Sequence, residues 1–422
     1  MDRKSFNSIR EVRQPASPAK KDQRAAAAAG LPETEPRRGV EGSSWNLRIG
    51  FRTAPDYNPA STVLRLRPDI QKNGPETRLV KPMSSKPIVL MLSTMAESGM
   101  RLLNEAAETR MVQATDLEAI EKAIPDADGL IIRTAGKIDG RTLDWAKRLK
   151  VVGRHGVGFD HIDVPAATER GVQVVYTPGA NTQSVCEHVF AMMIGLSKHF
   201  PKLMSALAAG DYHARTSMRG REIAGKTLGI VGFGRIGRRV GRTAHLGFGM
   251  KVLYHDIVPA PEEVELRAGA QRVGFEELLQ ASDYVSLHLP LDASTRKMIN
   301  RQALAKVQRG CVLINTCRGP VVDEDAVADA LDSGLLWGYG ADVYDQEPPP
   351  PNHPLIGRPD VMLTPHSAAQ TEEGLRNMAT MVAQDILAVI AGQVPQNPVN
   401  DPIEVERARQ ARGLEPLYQT ML

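Results

Sequence analysis

From residue 87 onward, short apolar segments of strand length alternate with amphipathic segments of helical length. Strands of a parallel sheet are apolar throughout because helices cover both faces of the sheet. The first group predicts strands at 87–92, 129–134, 151–153 and 172–176, with helices near 98–107, 140–149 and 165–170. The second group follows a long apolar helix at 185–207 and predicts strands at 227–232, 251–255, 284–289, 312–316, 337–342 and 361–364, then a final helix at 371–391. The pattern therefore predicts an α/β protein with two doubly wound parallel sheets.

The N-terminal segment differs from the rest of the chain in charge and pattern. Residues 1–82 hold 16 Lys and Arg against 9 Asp and Glu, so the basic character of the chain resides there. No apolar period of a strand or helix persists in this segment, and we predict a disordered basic extension over 1–86. It lacks the apolar core of a secretory signal, and its acidic residues argue against a transit peptide. Met83, just before the first strand, would be a natural position for the start of translation.

Composition narrows the class of protein. Hydrophobic residues make up 42% and charged residues 24%, which is typical of a globular chain. Three cysteines are too few for a disulfide framework and fit no zinc motif, so we expect no bound metal. No apolar run reaches the roughly 18 residues of a membrane helix, and aromatic residues at 5% do not suggest a stacking surface for nucleic acid. We expect a cytoplasmic protein without a membrane or nucleic-acid partner.

The hexapeptide GFGRIG at 232–237 matches the pattern GxGxxG. It follows the apolar run at 228–231 and begins a helical segment, which is the context that a dinucleotide-binding turn requires. Gly232 permits the tight turn, and Gly234 lets the backbone approach a pyrophosphate. Gly237 allows the helix to pack closely on the strand.

The start of this helix and the end of the next strand indicate which dinucleotide binds. Arg235 and Ile236 begin the helix, whose N-terminus attracts a pyrophosphate. Asp256 lies 19 residues beyond Gly237, at the end of the strand segment MKVLYHD. A carboxylate there accepts hydrogen bonds from the ribose and repels a 2′-phosphate. The segment therefore predicts NAD as the cofactor in preference to NADP.

Five further segments accompany this motif. They are GRHGVGFDHIDV (153–164), GANTQSVCEHVFAMM (179–193), VLINTCRGPVVDEDAV (312–327), GYGADVYDQEP (338–348) and LTPHSAAQT (363–371). In this order, together with GKTLGIVGFGRIG at 225–237, they resemble the D-isomer-specific 2-hydroxyacid dehydrogenase family over roughly residues 87–400. The resemblance implies two domains, Rossmann-like and flavodoxin-like, with the cofactor domain inserted into the substrate domain.

Domain boundaries follow from the resemblance. The substrate domain would combine residues 87–183 with the helix at 368–400, and the NAD-binding domain would span 184–367. The last 30 residues are Pro-rich and charged, and we predict a tail over 401–422. Members of the family usually dimerise through the cofactor domain, which implies a homodimer. The apolar helix at 185–207 could form that contact, or it could simply belong to the core.

The Arg, Glu and His that the family uses for catalysis match Arg318, Glu347 and His366. Arg318 would hold the substrate carboxylate with its planar, permanently charged fork. His366 would donate a proton to the carbonyl oxygen in reduction and accept it in oxidation. Glu347 would fix the imidazole tautomer and stabilise the imidazolium. Taken singly, an arginine of this kind is usually a surface ion pair, a Glu before Pro a turn residue, and a His after Thr-Pro a loop residue. The set becomes specific because all three lie in motifs that follow one another in the order found in the family.

Loop residues complete the implied site. Backbone N–H groups of Gly156, Val157 and Gly158 would complete the carboxylate site. Besides Arg318 and His366, the cofactor contacts implied by the resemblance are Thr316, Cys317, Asp342, Ala368 and Ala369. Relatives often have glycine at the two alanine positions. We interpret Cys317 as a small packing residue and not as a nucleophile.

The substrate stays open at this point. Phosphoglycerate dehydrogenases are the most similar members, but glyoxylate or hydroxypyruvate reductases and D-lactate dehydrogenases share the motifs. A phosphorylated substrate would need further cations at the cleft, for which Arg133 and Lys137 are candidates. The residues after Asn400 are too few for the regulatory domain of long phosphoglycerate dehydrogenases.

A binding protein is the alternative from another class. NAD(H)-sensing corepressors share this architecture and keep an Arg–Glu–His set, so the motifs alone do not separate them from an enzyme. Nothing else in the chain suggests a recruitment surface, which favours the enzyme. Formate dehydrogenases have glutamine in place of the glutamate, and Glu347 argues against that activity.

Overall fold

The computed structural model describes residues 86–418. Except for its last residue, the extension predicted over 1–86 lies outside the described residues. The described part contains two sheets of parallel strands with helices packed on both faces. The alternation of apolar and amphipathic segments predicted this architecture.

The first sheet is built from the N-terminal part of the described chain. Its strands are β1 (Ile88–Met91), β2 (Glu108–Met111), β3 (Gly129–Ile132), β4 (Val151–Arg154) and β5 (Gln173–Val175). The connecting helices are α1 (Glu97–Ala106), α2 (Leu117–Ala123), α3 (Gly140–Trp145) and α4 (Val164–Glu169). The strand order is β2-β1-β3-β4-β5. Asp116, Asp139 and Asp163 cap α2, α3 and α4 by accepting a backbone N–H of the first turn, which stabilises each helix start.

The second sheet has seven parallel strands. Helices α5 (Thr182–Ser197) and α6 (Phe200–Ala208) precede it. Its strands are β6 (Thr227–Val231), β7 (Lys251–His255), β8 (Ala270–Arg272), β9 (Tyr284–Leu287), β10 (Cys311–Asn315), β11 (Leu336–Ala341) and β12 (Val361–Leu363). Its helices are α7 (Arg235–Phe248), α8 (Glu262–Ala268), α9 (Phe275–Ala281), α10 (Arg301–Leu304) and α11 (Glu324–Asp332). The order β12-β11-β10-β9-β6-β7-β8 reverses at β6, and open α/β sheets bind ligands at such a point.

Two short strands were absent from the sequence prediction. β2 and β8 have the sequences ETRM and AQR, and each lies at an edge of its sheet. Most of their residues are partly or fully exposed, so neither strand carries the apolar run of a central strand. Polar edge strands are therefore hard to recognise in a sequence.

The apolar helix predicted over 185–207 is two helices, α5 and α6. His199 lies between them with a left-handed backbone (φ 55°), and Pro201 occupies the first turn of α6. Proline fits a first turn but lacks the N–H needed in a helix interior, so the helix is interrupted. α5 is largely buried, whereas no residue of α6 is buried. The position in the core that the sequence left open for this segment therefore applies to α5.

After β12 the chain returns to the first sheet. α12 (Glu372–Ile390) lies against α1 and β4 at close range. A Cβ at Gly99 would lie 2.5 Å from the carbonyl oxygen of Ala379, and one at Gly153 would lie 2.5 Å from Ile386. The apolar side of α12 is buried in the core of the first sheet. The second sheet is thus inserted between β5 and α12.

Residues 401–422, which we predicted to be a tail, include helix α13 (Pro402–Ala411). Val405, Leu417 and Tyr418 are buried in the hydrophobic core beside α12. The charged residues that suggested a tail are mostly exposed, and the buried positions are too widely spaced to produce a periodic signal.

We expect the substitution Tyr418→Ala to lower the free energy of unfolding by about 3–5 kcal/mol, the usual cost of truncating a buried aromatic side chain. It also removes the hydrogen bond that the Tyr418 hydroxyl donates to Gln173 Oε1 at 2.7 Å. Urea unfolding followed by circular dichroism measures the change. Leu414→Ala, at a residue that is 37% exposed, is the control. Equal effects of the two substitutions would show that this segment does not belong to the core.

Candidate active site

A cleft of about 450 Å³ lies where loops from the carboxyl ends of the two sheets face each other. The first sheet contributes Arg133 and the loop 154–160 that follows β4. The second sheet contributes residues 288–291, 316–318 and His366, among others. Carboxyl ends of parallel strands are where open α/β sheets bind ligands, so this cleft is the candidate site.

The turn formed by GFGRIG at 232–237, called the glycine turn below, has room for a ligand on one side only. Gly232 has φ 92°, and a Cβ there would lie 2.5 Å from the carbonyl oxygen of His288. A Cβ at Gly237 would lie 2.2 Å from the carbonyl oxygen of Gly232, whereas one at Gly234 would meet no atom within 4 Å. The open side at Gly234 adjoins the start of α7, whose N-terminus has no side-chain cap. Free N–H groups beside open space suit a pyrophosphate.

Asp256 directly follows β7 and contacts this turn. Its Oδ2 accepts a hydrogen bond from the Phe233 N–H at 2.6 Å, and its Oδ1 accepts one from the Val258 N–H at 3.0 Å. A carboxylate oxygen can accept more than one hydrogen bond, so both oxygens retain capacity for ribose hydroxyls. The residues around the turn therefore fit NAD.

Arg318 follows β10 and reaches across the cleft. Its Nε and Nη2 donate to Oδ1 of Asp160 at 2.9 and 2.8 Å, and its Nη1 donates to the Cys317 carbonyl oxygen at 2.6 Å. Asp160 belongs to the loop after β4, and it is not among the site residues predicted from the sequence. It lies two residues beyond Gly158, in the loop predicted to bind the carboxylate, and this position was the one signal in the sequence that could have indicated it.

The loop 156–158 lies against the Arg318 guanidinium. A Cβ at Gly158 would lie 1.3 Å from Arg318 Nη2, so no larger residue fits while the arginine keeps this position. Arg154 supports the loop from within the protein by donating to the carbonyl oxygens of His155 and Gly158. Burial and the nearby charge of Arg318 lower the pKa of Arg154 to about 9.

Two of the three predicted loop N–H groups are available. Gly156 N–H donates to the Arg154 carbonyl oxygen at 2.9 Å. Within residues 86–418, the N–H groups of Val157 and Gly158 donate to no protein acceptor. They therefore remain free to bind a carboxylate.

His366 and Glu347 form a hydrogen-bonded pair. His366 Nδ1 lies 2.7 Å from Glu347 Oε2, and each side chain is 38% exposed. Burial alone would raise the pKa of Glu347, but the hydrogen bond and charge of His366 hold that pKa below its ordinary value. Since His366 Nδ1 is engaged, Nε2 is the ring nitrogen left to exchange a proton with a ligand.

Asp342 secures the loop that carries His366. It is 1% exposed, and its Oδ1 accepts from Thr364 Oγ1 at 2.6 Å and from Ser367 N–H at 2.7 Å. Its Oδ2 accepts from Ala368 N–H at 2.8 Å. His366 itself has a left-handed backbone (φ 50°), a strained conformation for a non-glycine residue. These bonds hold the loop in that conformation.

The predicted site residues are thus distributed around one cleft and its margin. Those that line the cleft are Gly156, Val157, Gly158, Arg235, Ile236, Thr316, Cys317, Arg318, Asp342, His366, Ala368 and Ala369. Gly232, Gly234, Gly237 and Asp256 form the adjoining turn, and Glu347 lies behind His366. Burial raises the pKa of Cys317, which is consistent with a packing role.

Two kinds of feature are absent from the described residues. No helix within 86–418 is long and apolar enough to cross a membrane. Over the same residues, no cluster of three or more His, Cys, Asp and Glu side chains is suited to a metal ion.

Comparison with known proteins connects this geometry to a family. Residues 190–368 match the model described as the NAD-binding domain of D-isomer specific 2-hydroxyacid dehydrogenases. The chain is 36% identical over 324 residues to the glyoxylate reductase of Korarchaeum cryptofilum, covering 75% of this chain and 97% of that protein. It is 35% identical over 331 residues to chloroplastic D-3-phosphoglycerate dehydrogenase 2 of Arabidopsis thaliana, covering 78% of this chain but only 53% of that protein.

Solved structures show the same similarity. A glyoxylate reductase from Paecilomyes thermophila has a TM-score of 0.69 and 33% identity, with 75% of this chain and 99% of that chain covered. The D-lactate dehydrogenase of Aquifex aeolicus, complexed with NAD and lactic acid, has a TM-score of 0.67 and 29% identity, with 74% and 98% covered.

We expect His366→Gly to raise the pKa of Glu347, because burial would remain while the opposing hydrogen bond and charge would be lost. Glycine accommodates the left-handed backbone, so the loop need not rearrange. Carboxyl ¹³C chemical shifts followed against pH, with Glu347→Gln used to assign the signal, measure the pKa. An unchanged pKa would mean that the pair is not formed in solution.

Proposed function

The chain belongs to the D-isomer-specific 2-hydroxyacid dehydrogenase family, and from this premise we propose that its cleft transfers a hydride between NAD(H) and C2 of a small 2-keto or 2-hydroxy acid. The convergence of Arg318, the His366–Glu347 pair and two free loop N–H groups on one cleft supports this proposal. These groups can bind a carboxylate and exchange a proton beside a dinucleotide turn.

The substrate carboxylate would bind between Arg318 and the loop after β4. Arg318 offers a planar pair of N–H groups, and Val157 and Gly158 offer backbone N–H groups. The positive charge of Arg318 would also polarise the neighbouring C2 carbonyl. Contacts to both the carboxylate and the C2 carbonyl oxygen would fix the orientation of C2 relative to His366.

His366 would hold the proton that the C2 oxygen takes up on reduction. Its Nε2 is the exchanging atom because Nδ1 is bound to Glu347. Glu347 is ionised at neutral pH, since its pKa lies below the ordinary value, and it therefore stabilises the imidazolium. In the oxidative direction the same Nε2 would accept the hydroxyl proton.

NAD would bind along residues 184–367, and residues 87–183 with 368–400 would carry the substrate side. Gly234, Arg235 and Ile236 at the start of α7 would hold the pyrophosphate. Asp256 would accept the ribose hydroxyls. The bound cofactor supplies the hydride, and the protein supplies position and charge.

Among the open substrates, we propose a phosphoglycerate dehydrogenase-like preference for a phosphorylated acid. Arg133 lines the cleft, and its pKa is lowered by burial. In the described part of the chain it forms no ion pair, so its charge is available to a second anionic group. Lys137, the other candidate, does not line the cleft. Glyoxylate or hydroxypyruvate reductase and D-lactate dehydrogenase activity are the alternatives.

The decisive experiment measures NADH oxidation at 340 nm with 3-phosphohydroxypyruvate, hydroxypyruvate, glyoxylate and pyruvate. His366→Asn should lower kcat by roughly 100-fold or more, the contribution of positioned acid–base catalysis. Asparagine tolerates the left-handed backbone but cannot exchange the proton. His213→Asn, at an exposed histidine, is the matched control.

If NADH binds but none of the acids is reduced, the NAD(H)-sensing binding protein becomes the better explanation. Near-normal turnover by the His366→Asn protein would remove His366 from the mechanism. Parallel assays with NADPH test the cofactor preference.

We also propose a cytoplasmic homodimer in which α6 faces a second copy. The three cysteines are free, as in a reducing compartment. Phe200, Met204 and Leu207 of α6 are 46%, 69% and 63% exposed. A contiguous apolar surface of this kind marks an interaction site, and family members usually dimerise through the cofactor domain.

Leu207→Glu should weaken the dimer, because burying an unpaired carboxylate in an apolar interface is costly. Sedimentation velocity over a range of protein concentrations measures the association. Ser205→Glu places the same charge at an exposed polar position of α6 and is the control. A wild-type protein that is monomeric throughout would refute the proposal.

A further inference from the structure

We propose that Asp160 is a positioning residue, which orients the Arg318 guanidinium across the cleft so that its free edge faces the substrate carboxylate. The proposal rests on the proposed function of Arg318. It assigns a role to a residue outside the Arg–Glu–His set.

The hydrogen bonds of Arg318 define which part of its fork is free. A guanidinium has five N–H donors. Asp160 Oδ1 takes the Nε donor and one Nη2 donor, at 2.9 and 2.8 Å, and the Cys317 carbonyl oxygen takes one Nη1 donor at 2.6 Å. One N–H on each terminal nitrogen remains. These two donors are available to bind a carboxylate.

Gly158 defines the depth at which the guanidinium lies. The arginine occupies the space of a side chain at this position, since a Cβ there would be 1.3 Å from Nη2 and 2.5 Å from Cζ. The guanidinium is therefore packed on the backbone of the loop that carries the free N–H groups. Asp160, two residues further along the same loop, holds it there.

The local charges make Asp160 necessary for this arrangement. Arg133, Arg154 and Arg318 all line the cleft, and Arg154 is buried. Within residues 86–418, Asp160 is the only carboxylate that forms an ion pair with any of the three. Without it, repulsion between the buried Arg154 and Arg318 would favour movement of Arg318 away from the loop.

Asp160 carries this charge at neutral pH. Its partial burial favours the protonated acid, but the hydrogen bonds and charge of Arg318 hold the pKa of Asp160 below its ordinary value. Because its partner is a permanently charged guanidinium, the pair persists throughout the physiological pH range.

The pair also joins the two sheets. Asp160 follows β4 of the first sheet, and Arg318 follows β10 of the second, 158 residues later. The orientation of the carboxylate-binding edge therefore depends on how the two sheets face each other. The substrate site is complete only when both loops are in place.

A series of substitutions at Asp160 tests the role. Asp160→Ala should lower kcat/KM for the keto acid by about 10- to 100-fold, the range expected for losing hydrogen bonds to a charged group. KM should rise and kcat should fall. Asp160→Asn, which can still accept a hydrogen bond but has no charge, should be intermediate, and Asp160→Glu should recover part of the activity. The dissociation constant of NADH and the melting temperature should match those of the control Asp163→Asn, which keeps the cap of α4.

Calorimetric titration of the enzyme–NADH complex with oxalate gives a readout without turnover. Oxalate should bind more weakly to Asp160→Ala than to the wild type. In an Arg318→Ala background, Asp160→Ala should have no further effect, because Asp160 acts through Arg318.

Unchanged oxalate affinity in Asp160→Ala, or an equal loss in the Arg318→Ala background, would overturn the proposal. So would failure of the wild-type complex to bind oxalate at all. If the wild type binds oxalate but reduces none of the keto acids, the proposed function is wrong, while the oxalate series still decides the role of Asp160.

Discussion

In a parallel sheet every strand ends at the same edge, and each crossover must return the chain to the opposite edge. Residues that directly follow strands therefore collect along one side of the sheet, however far apart they lie in sequence. This protein contains two such sheets, so the constraint applies to each of them. The second sheet is inserted between β5 and α12 of the first part. The loop after β4 and the loop after β10 consequently face one another across a single cleft. Every chemical feature of the site depends on this arrangement.

Charge is distributed unevenly in that cleft. Four arginines line it (Arg133, Arg154, Arg235 and Arg318), and Arg318 is paired with Asp160. The acidic groups of the second sheet have other partners: Asp342 binds the loop around His366, Asp256 binds the glycine turn, and Glu347 binds the imidazole. The cleft therefore retains net positive charge on the side of the first sheet, which favours an anionic ligand. His366, the proposed acid–base group, lies on the side of the second sheet.

Local strain is concentrated at the same place. His366 adopts a left-handed backbone, and the buried carboxylate of Asp342 compensates by accepting three hydrogen bonds from the loop around it. A strained residue persists only where its surroundings hold it, and such residues gather at functional sites. Helix α6, outside the cleft, exposes apolar side chains to solvent, which is unfavourable for the isolated chain. The strain at His366 is consistent with its proposed role in the reaction, and the exposed side of α6 is consistent with the proposed dimer.

The sequence by itself determined the two parallel sheets, the dinucleotide turn and the family, because apolar runs and glycine spacing record local requirements. It also indicated Arg318, Glu347 and His366, through motifs that contain them. It did not reveal β2 or β8, which are polar edge strands, or the buried end of the chain around Tyr418, where the buried positions are too widely spaced to leave a periodic pattern. The interruption at His199 has a local cause in Pro201, which the prediction of one continuous helix overlooked. The ion pair between Asp160 and Arg318 was decided by tertiary structure. An ion pair between residues 158 positions apart leaves no local trace in the sequence, since only the packing of the two sheets brings its members together.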